Sequence, residues 1–118
     1  MSLPSGVRSH QTIWVDLPNG HTAAVRFAID EDRVVCFGDD GLRDLVAGTR
    51  VTASVRGLAD GPLETSFWVS VNELDGADVS IALLSDLVGD RPLGRTADEV
   101  VRNLEAMRGS RRLLALDA

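Results

Sequence analysis

The feature that most constrains this chain is an alternation of apolar and polar residues with period two, repeated in short runs separated by turn-forming residues. Successive strand side chains point to opposite faces, so such a run separates an apolar from a polar face only as a strand. Ile13, Val15 and Leu17 form the first run, and Pro18-Asn19-Gly20 follows as a turn whose Asn-Gly pair tolerates positive φ. From His21 to Ile29, the residues Ala23, Val25, Phe27 and Ile29 face one way and Thr22, Ala24, Arg26 and Ala28 the other. Asp30-Glu31-Asp32 turns the chain into Arg33 to Gly38 (RVVCFG), which is apolar on both faces, as a strand covered on both sides is. These three runs predict a meander.

In the segment LRDLVAG, Leu42, Leu45 and Val46 share one helical face and Gly48 stands where a helix ends, which predicts a short helix. Period two resumes from Arg50 to Arg56 with Val51, Ala53 and Val55, and the loop Gly57 to Glu64 leads to a long strand from Thr65 to Leu74 carrying Phe67, Val69 and Val71. After Asp75-Gly76, the spacing of Val79, Ile81 and Leu83 predicts a sixth strand, and Ser85 to Arg95, with Gly89, Pro92 and Gly94, reads as loop. A capping box, Thr96-Ala-Asp-Glu99, opens a helix with an apolar stripe of Ala97, Val100, Val101, Leu104 and Met107, closed by Gly109. Arg111 to Leu116 reads as a last strand or an extended tail. The expected architecture is mainly β: a β-barrel with minor helices, six-stranded and closed or split, with one C-terminal amphipathic helix. It forms a single domain over residues 1–118, of which 1–11 are expected to be flexible.

Composition removes whole classes of function. A chain of 118 residues buries enough surface to fold without disulfides or a structural metal, and the lone Cys36 with two distant histidines, His10 and His21, supplies no metal cluster. All 12 basic residues are arginine, which excludes a Schiff-base lysine and a Walker-type phosphate loop. The formal net charge of -6, with no basic stripe, argues against a nucleic-acid partner. No apolar stretch is long enough to span a membrane and the first residues do not read as a secretory signal, so a cytoplasmic location with no membrane partner is expected.

Single residues add less. Cys36 reads as a small buried hydrophobe, and His10 and His21 as surface or turn residues. The acids of the two turns read as solvated rather than as a calcium loop. Arg26 faces either solvent or a groove between subunits, and Arg43 reads as a solvated charge near Asp39 or Asp40. Trp14 and Trp68 fall on the less apolar faces of their strands, where the final helix, a second subunit or a flat ligand ring would cover them.

The stretch AAVRFAIDEDRVVCFGDDGLRDLVAGTRVTASV, followed by FWVSV, resembles the central part of the pyridoxamine 5'-phosphate oxidase-like flavin-binding split barrels, over about half of the chain. Trp68-Val69-Ser70-Val71 is similar to a tryptophan-serine-valine stretch of the nitroimidazole-reductase-like branch. The resemblance implies a homodimer that holds flavin mononucleotide (FMN), or a related deazaflavin, between subunits and exchanges a hydride with a small substrate. It implies Arg26 and Arg43 toward the phosphate and Phe27, Phe37, Gly38 and Trp68 near the ring, with no side chain marked as a catalytic acid or base. The family's phosphate-binding serine and lysine are missing: the lysine position falls on or near Gly41, and no serine or lysine lies between Gly38 and Gly48. A cofactor-free homodimeric barrel with a structural or ligand-binding role is the alternative.

Overall fold

The computed structural model describes Val7 and residues 12–56, 64–89 and 92–118. Six antiparallel strands, β1 (Thr12–Asp16), β2 (Thr22–Asp30), β3 (Arg33–Phe37), β4 (Arg50–Arg56), β5 (Glu64–Leu74) and β6 (Leu113–Asp117), close into a barrel in the order β1-β2-β3-β6-β5-β4. The seam is made by β1 against β4, where Trp14 pairs with Ser54 and Val15 with Ala53. Closure satisfies backbone groups that an open six-stranded sheet would leave at two edges. The expected segment 1–11, Val7 apart, and the loop from Gly57 to Leu63 lie outside the described residues.

Alternation sorts the side chains as anticipated. Ile13, Val15, Phe27, Val34, Cys36, Val51, Ala53, Val55, Val69, Val71, Leu114 and Leu116 fill the interior, with Val7, Leu42 and Leu45 packed against them. The outer faces of β2, β3 and β6 present Ala28, Val35 and Leu113 to a second core, built with two helices, α1 (Ile81–Val88) and α2 (Ala97–Ser110). Strand β3 is therefore covered on both sides, Val34 and Cys36 within and Val35 without, which accounts for its lack of alternation.

Two expectations fail between Asp75 and Arg95. No strand runs through Val79, Ile81 and Leu83. A 3-10 turn over Gly76–Asp78, with the Asp75 carboxylate accepting from the Ala77 amide, leads into α1, whose N-cap Ser80 hydroxyl accepts from the Leu83 amide. The residues buried here are Leu83, Leu84 and Leu87, at helical spacing, so four residues read as loop belong to a helix. The chain thus has two helices rather than one, and the sixth strand is the C-terminal one, following α2. The Thr96 capping box forms as read, the hydroxyl accepting from the Glu99 amide, but the helix passes Gly109 and ends at Ser110. The segment after β3 makes only a 3-10 turn over Asp40–Leu42; Leu42 and Leu45 are buried, but Val46 is 66% exposed instead of sharing their face.

That segment is shaped by Arg112, one residue before β6. Its guanidinium donates to the carbonyls of Gly38 (3.1 Å), Leu42 (3.3 Å), Arg43 (3.2 Å) and Leu45, and its Nε meets Glu73 Oε1 at 2.6 Å. Gly38 lies so close beneath this side chain that a Cβ would sit 2.7 Å from Leu114 Cγ. Stranding a buried carbonyl costs about 1–3 kcal/mol, so Arg112→Ala is expected to lower stability by roughly 2–4 kcal/mol and Arg112→Lys by somewhat less. Urea denaturation would measure both, and a loss below about 0.5 kcal/mol for the alanine variant would show that the carbonyls find water instead.

Candidate functional site

The outer face of β2, the end of β3 and the turn after it enclose a groove of about 240 Å³ lined by Ala24, Val25, Arg26, Phe37, Asp39, Gly41 and Arg111. Arg26 reaches it because it stands on the outward face of β2, opposite Val25 and Phe27. Its Nε and Nη2 both lie 3.4 Å from the carbonyl of Asp86, in the last turn of α1, where a cation meets the negative end of the helix. Gly89, which follows α1 at φ +74°, permits this approach; a Cβ there would come 2.6 Å from the Arg26 guanidinium carbon.

Arg111 closes the other side. Its Nε donates to Asp39 Oδ2 at 2.8 Å and its Nη2 to Oδ1 at 2.5 Å, while the guanidinium carbon lies 3.7 Å from the centre of the Phe37 ring. A two-pronged carboxylate pair stacked on an aromatic face is the geometry for which arginine, unlike lysine, is suited. The hydrogen bond to Arg111 holds the Asp39 carboxyl below its ordinary pKa against the opposing effect of burial, with Arg43 adding a smaller pull. Asp39 therefore pairs with Arg111 rather than with Arg43, and the groove combines cations, one carboxylate and one ring.

Of the residues singled out from sequence, only Arg26 and Phe37 line this groove. Phe27 is 4% exposed and points into the barrel, as its shared face with Val25 requires, so its place beside a ligand ring is corrected to the core. Gly38 is covered by Leu114 and Arg112, and its amide donates to the Arg112 carbonyl at 2.8 Å, so its backbone is engaged within the fold and not open to a ring edge. Arg43 is exposed on the adjoining turn, outside the lining. Trp68 is 57% exposed on β5, three strands from β2 in either direction around the barrel, and thus on the opposite wall. Neither helix covers it; the nearest printed neighbour of its ring is the Arg50 guanidinium, 5.5 Å from the ring centre. Trp14 is half-buried, across from Ala24 and Ser54. Sequence reasoning missed Arg111 and Asp39 as lining residues, and the available signal was the doubled arginine directly after the helix.

The remaining polar clusters bind the barrel together. Asp117 accepts from Arg33 Nε (2.8 Å), Arg33 Nη2 (3.0 Å) and Asn72 Nδ2 (2.7 Å), linking β3, β6 and β5, and Arg33 chiefly lowers its pKa. Burial pushes the Cys36 thiol up to about 12. Among the described residues, no three of His, Cys, Asp and Glu are placed to hold a metal ion, and no helix is long and apolar enough to cross a membrane. Comparison of the chain with protein-family models, curated proteins and solved structures finds no match.

Two outcomes follow from these pKa shifts. A carboxylate whose folded pKa is depressed contributes stability above its unfolded pKa of about 3.9 and loses it as pH falls through the lower folded value. Stability should therefore drop on acidification from about pH 5 downward, and Asp117→Asn should flatten that slope in denaturation series taken at successive pH values; an unchanged slope would remove the Arg33–Asp117 pair from the acid response. Cys36, protonated and enclosed, should give no product with a thiol-specific disulfide reagent at pH 8 until the chain is unfolded; rapid labelling of the native protein would contradict its burial.

Proposed function

We propose that this chain is a flavin-binding barrel of the pyridoxamine 5'-phosphate oxidase-like type, an oxidoreductase that holds FMN or a related deazaflavin and acts on a small substrate. The observation that carries this reading is the groove in which Arg26 and Arg111 flank the Phe37 ring. Arginine forks suit a phosphate, an aromatic face suits a flat ligand, and the position where the resembling family has its lysine, Gly41, lines the same groove. Arg26, Arg111 and nearby Arg43 against Asp39 make this corner locally positive in a chain of net charge -6. At about 240 Å³ the groove falls below the roughly 300–1,000 Å³ of sites for drug-sized ligands. It fits the phosphate end of a flavin nucleotide, and the ring needs further cover. A second copy presenting its Trp68 would supply that cover, which is why a homodimer belongs to the proposal. A bound flavin would supply the hydride chemistry, while the chain's own part is to hold the phosphate, orient the ring and exclude water.

Titration of the purified protein with FMN, followed by flavin fluorescence, tests this directly. Binding at micromolar concentration or tighter is expected, and Arg111→Gln should weaken it about tenfold or more through loss of a charge-assisted pair worth roughly 1.5–3 kcal/mol, with riboflavin affinity unchanged. Gly41→Lys should tighten FMN binding. No binding up to millimolar FMN or deazaflavin would overturn the cofactor reading.

The second reading, a cofactor-free homodimer, is favoured by one observation: the exposed Trp68 stands on a barrel wall that neither helix covers. Trp68→Ser should then shift the sedimentation coefficient from dimer toward monomer at micromolar concentration, and a parent chain that already sediments as a monomer would overturn this reading.

A further inference from the structure

Resting on the reading of the groove as a phosphate site, one further point concerns what already occupies its cationic wall. The Arg111 fork is not open: both of its forward-facing donors are taken by the two Asp39 oxygens, at 2.8 and 2.5 Å, and its plane is fixed against Phe37. A carboxylate held in this way occupies the position that two oxygens of a phosphate or a ligand carboxylate would take. Asp39 and Arg111 both line the groove, with side chains 36% and 27% exposed, so the pair meets the solution where a ligand enters. The charges around Asp39 are Arg111 from the start of the last strand, Arg43 from the adjoining turn and Arg26 from β2, with Arg112 on the carbonyl of the preceding Gly38. Removing the carboxylate from the fork leaves it among other cations, so its displacement does not strand it.

We propose that Asp39 is a built-in competitor for the oxyanion seat on Arg111, so that a ligand's phosphate or carboxylate binds by displacing the Asp39 side chain from the guanidinium fork. Asp39 thereby sets a threshold: weak monoanions fail to exchange with it, and a ligand that also stacks on the groove's apolar lining succeeds.

Inorganic phosphate is the probe, at ionic strength held constant with chloride. The readout is the Nε–H resonance of Arg111 in the full isotope-labelled chain, assigned by its loss in Arg111→Lys. Phosphate is expected to move this resonance and, together with it, the carboxyl carbon resonance of Asp39; Asp39→Asn, which keeps the shape and removes the charge, should reach half-effect at about tenfold lower phosphate. An equal or higher midpoint in Asp39→Asn overturns the proposal. Should that variant not fold, the parent chain decides alone: an Arg111 resonance unmoved by phosphate, or one that moves while the Asp39 carboxyl does not, overturns it equally. Parallel titrations with FMN and riboflavin separate this from the cofactor reading. A phosphate response sharpened by Asp39→Asn with no flavin binding in either chain supports the competitor and rejects the flavin, whereas flavin binding indifferent to Asp39→Asn does the reverse.

Discussion

The groove exists because one guanidinium gathers four carbonyls. Gly38, Leu42, Arg43 and Leu45 turn their oxygens toward Arg112, and with that the chain after β3 folds back against the barrel instead of crossing solvent. Unpaired carbonyls beside the buried Leu42 and Leu45 would oppose this path, and a guanidinium, planar with five donors, can meet several of them at once. Arg112 belongs to the start of β6, so the turn carrying Asp39 and Gly41 is set only when the last strand has inserted between β3 and β5. Site formation is in this sense a consequence of barrel closure, and damage to β6 reaches the groove without touching its lining.

Arginine is used in the same way elsewhere. Arg33 ties β3 to the end of β6, Arg26 meets the last turn of α1, and Arg108 donates to the Val79 carbonyl beside the turn preceding α1. Each site asks for a directional donor at the end of an element, which a point charge on a flexible stem satisfies less well. The acidic surplus of the chain is not spread evenly over this framework. Acids are matched to arginines at Asp39, Glu73 and Asp117, and the groove keeps more cations than anions.

What the sequence revealed depends on how far each segment has an inside and an outside. The first five strands were legible to within a residue or two because Ile13, Phe27, Val51 and Val69 each alternate with polar neighbours. IALLSDLV was misread because its apolar residues fit either period, and the deciding facts were the local caps from Asp75 and Ser80. Strand β6 stayed open between strand and tail because Leu113 to Leu116 are buried on both faces and so do not alternate. For the site, Arg26 and Phe37 could be placed from facing alone. Phe27 belonged to the core by the same logic, and the family likeness, which aligns strands but not faces, moved it to the wrong side. The Asp39–Arg111 pair joins positions separated by most of the fold, and no local pattern announces such a contact.

The barrel's two sides differ in kind. Around β2, β3 and β6 the outer face is apolar and closed by helices, whereas β4 and β5 turn Thr52, Ser66, Trp68 and Ser70 outward. Small hydroxyl side chains around a single projecting indole make a surface that another chain can approach closely, with the indole as its one large anchor. Since β5 is opposite β2, no motion short of unfolding carries Trp68 to the groove of its own chain. The two halves of the proposed cofactor site are therefore linked by assembly: the arginine-lined phosphate end is complete in one chain, while stacking on Trp68 requires a second. A phosphate should consequently bind independently of protein concentration, and a flavin ring should bind more tightly as the chain associates, because dimer formation and ring burial then share the same surface.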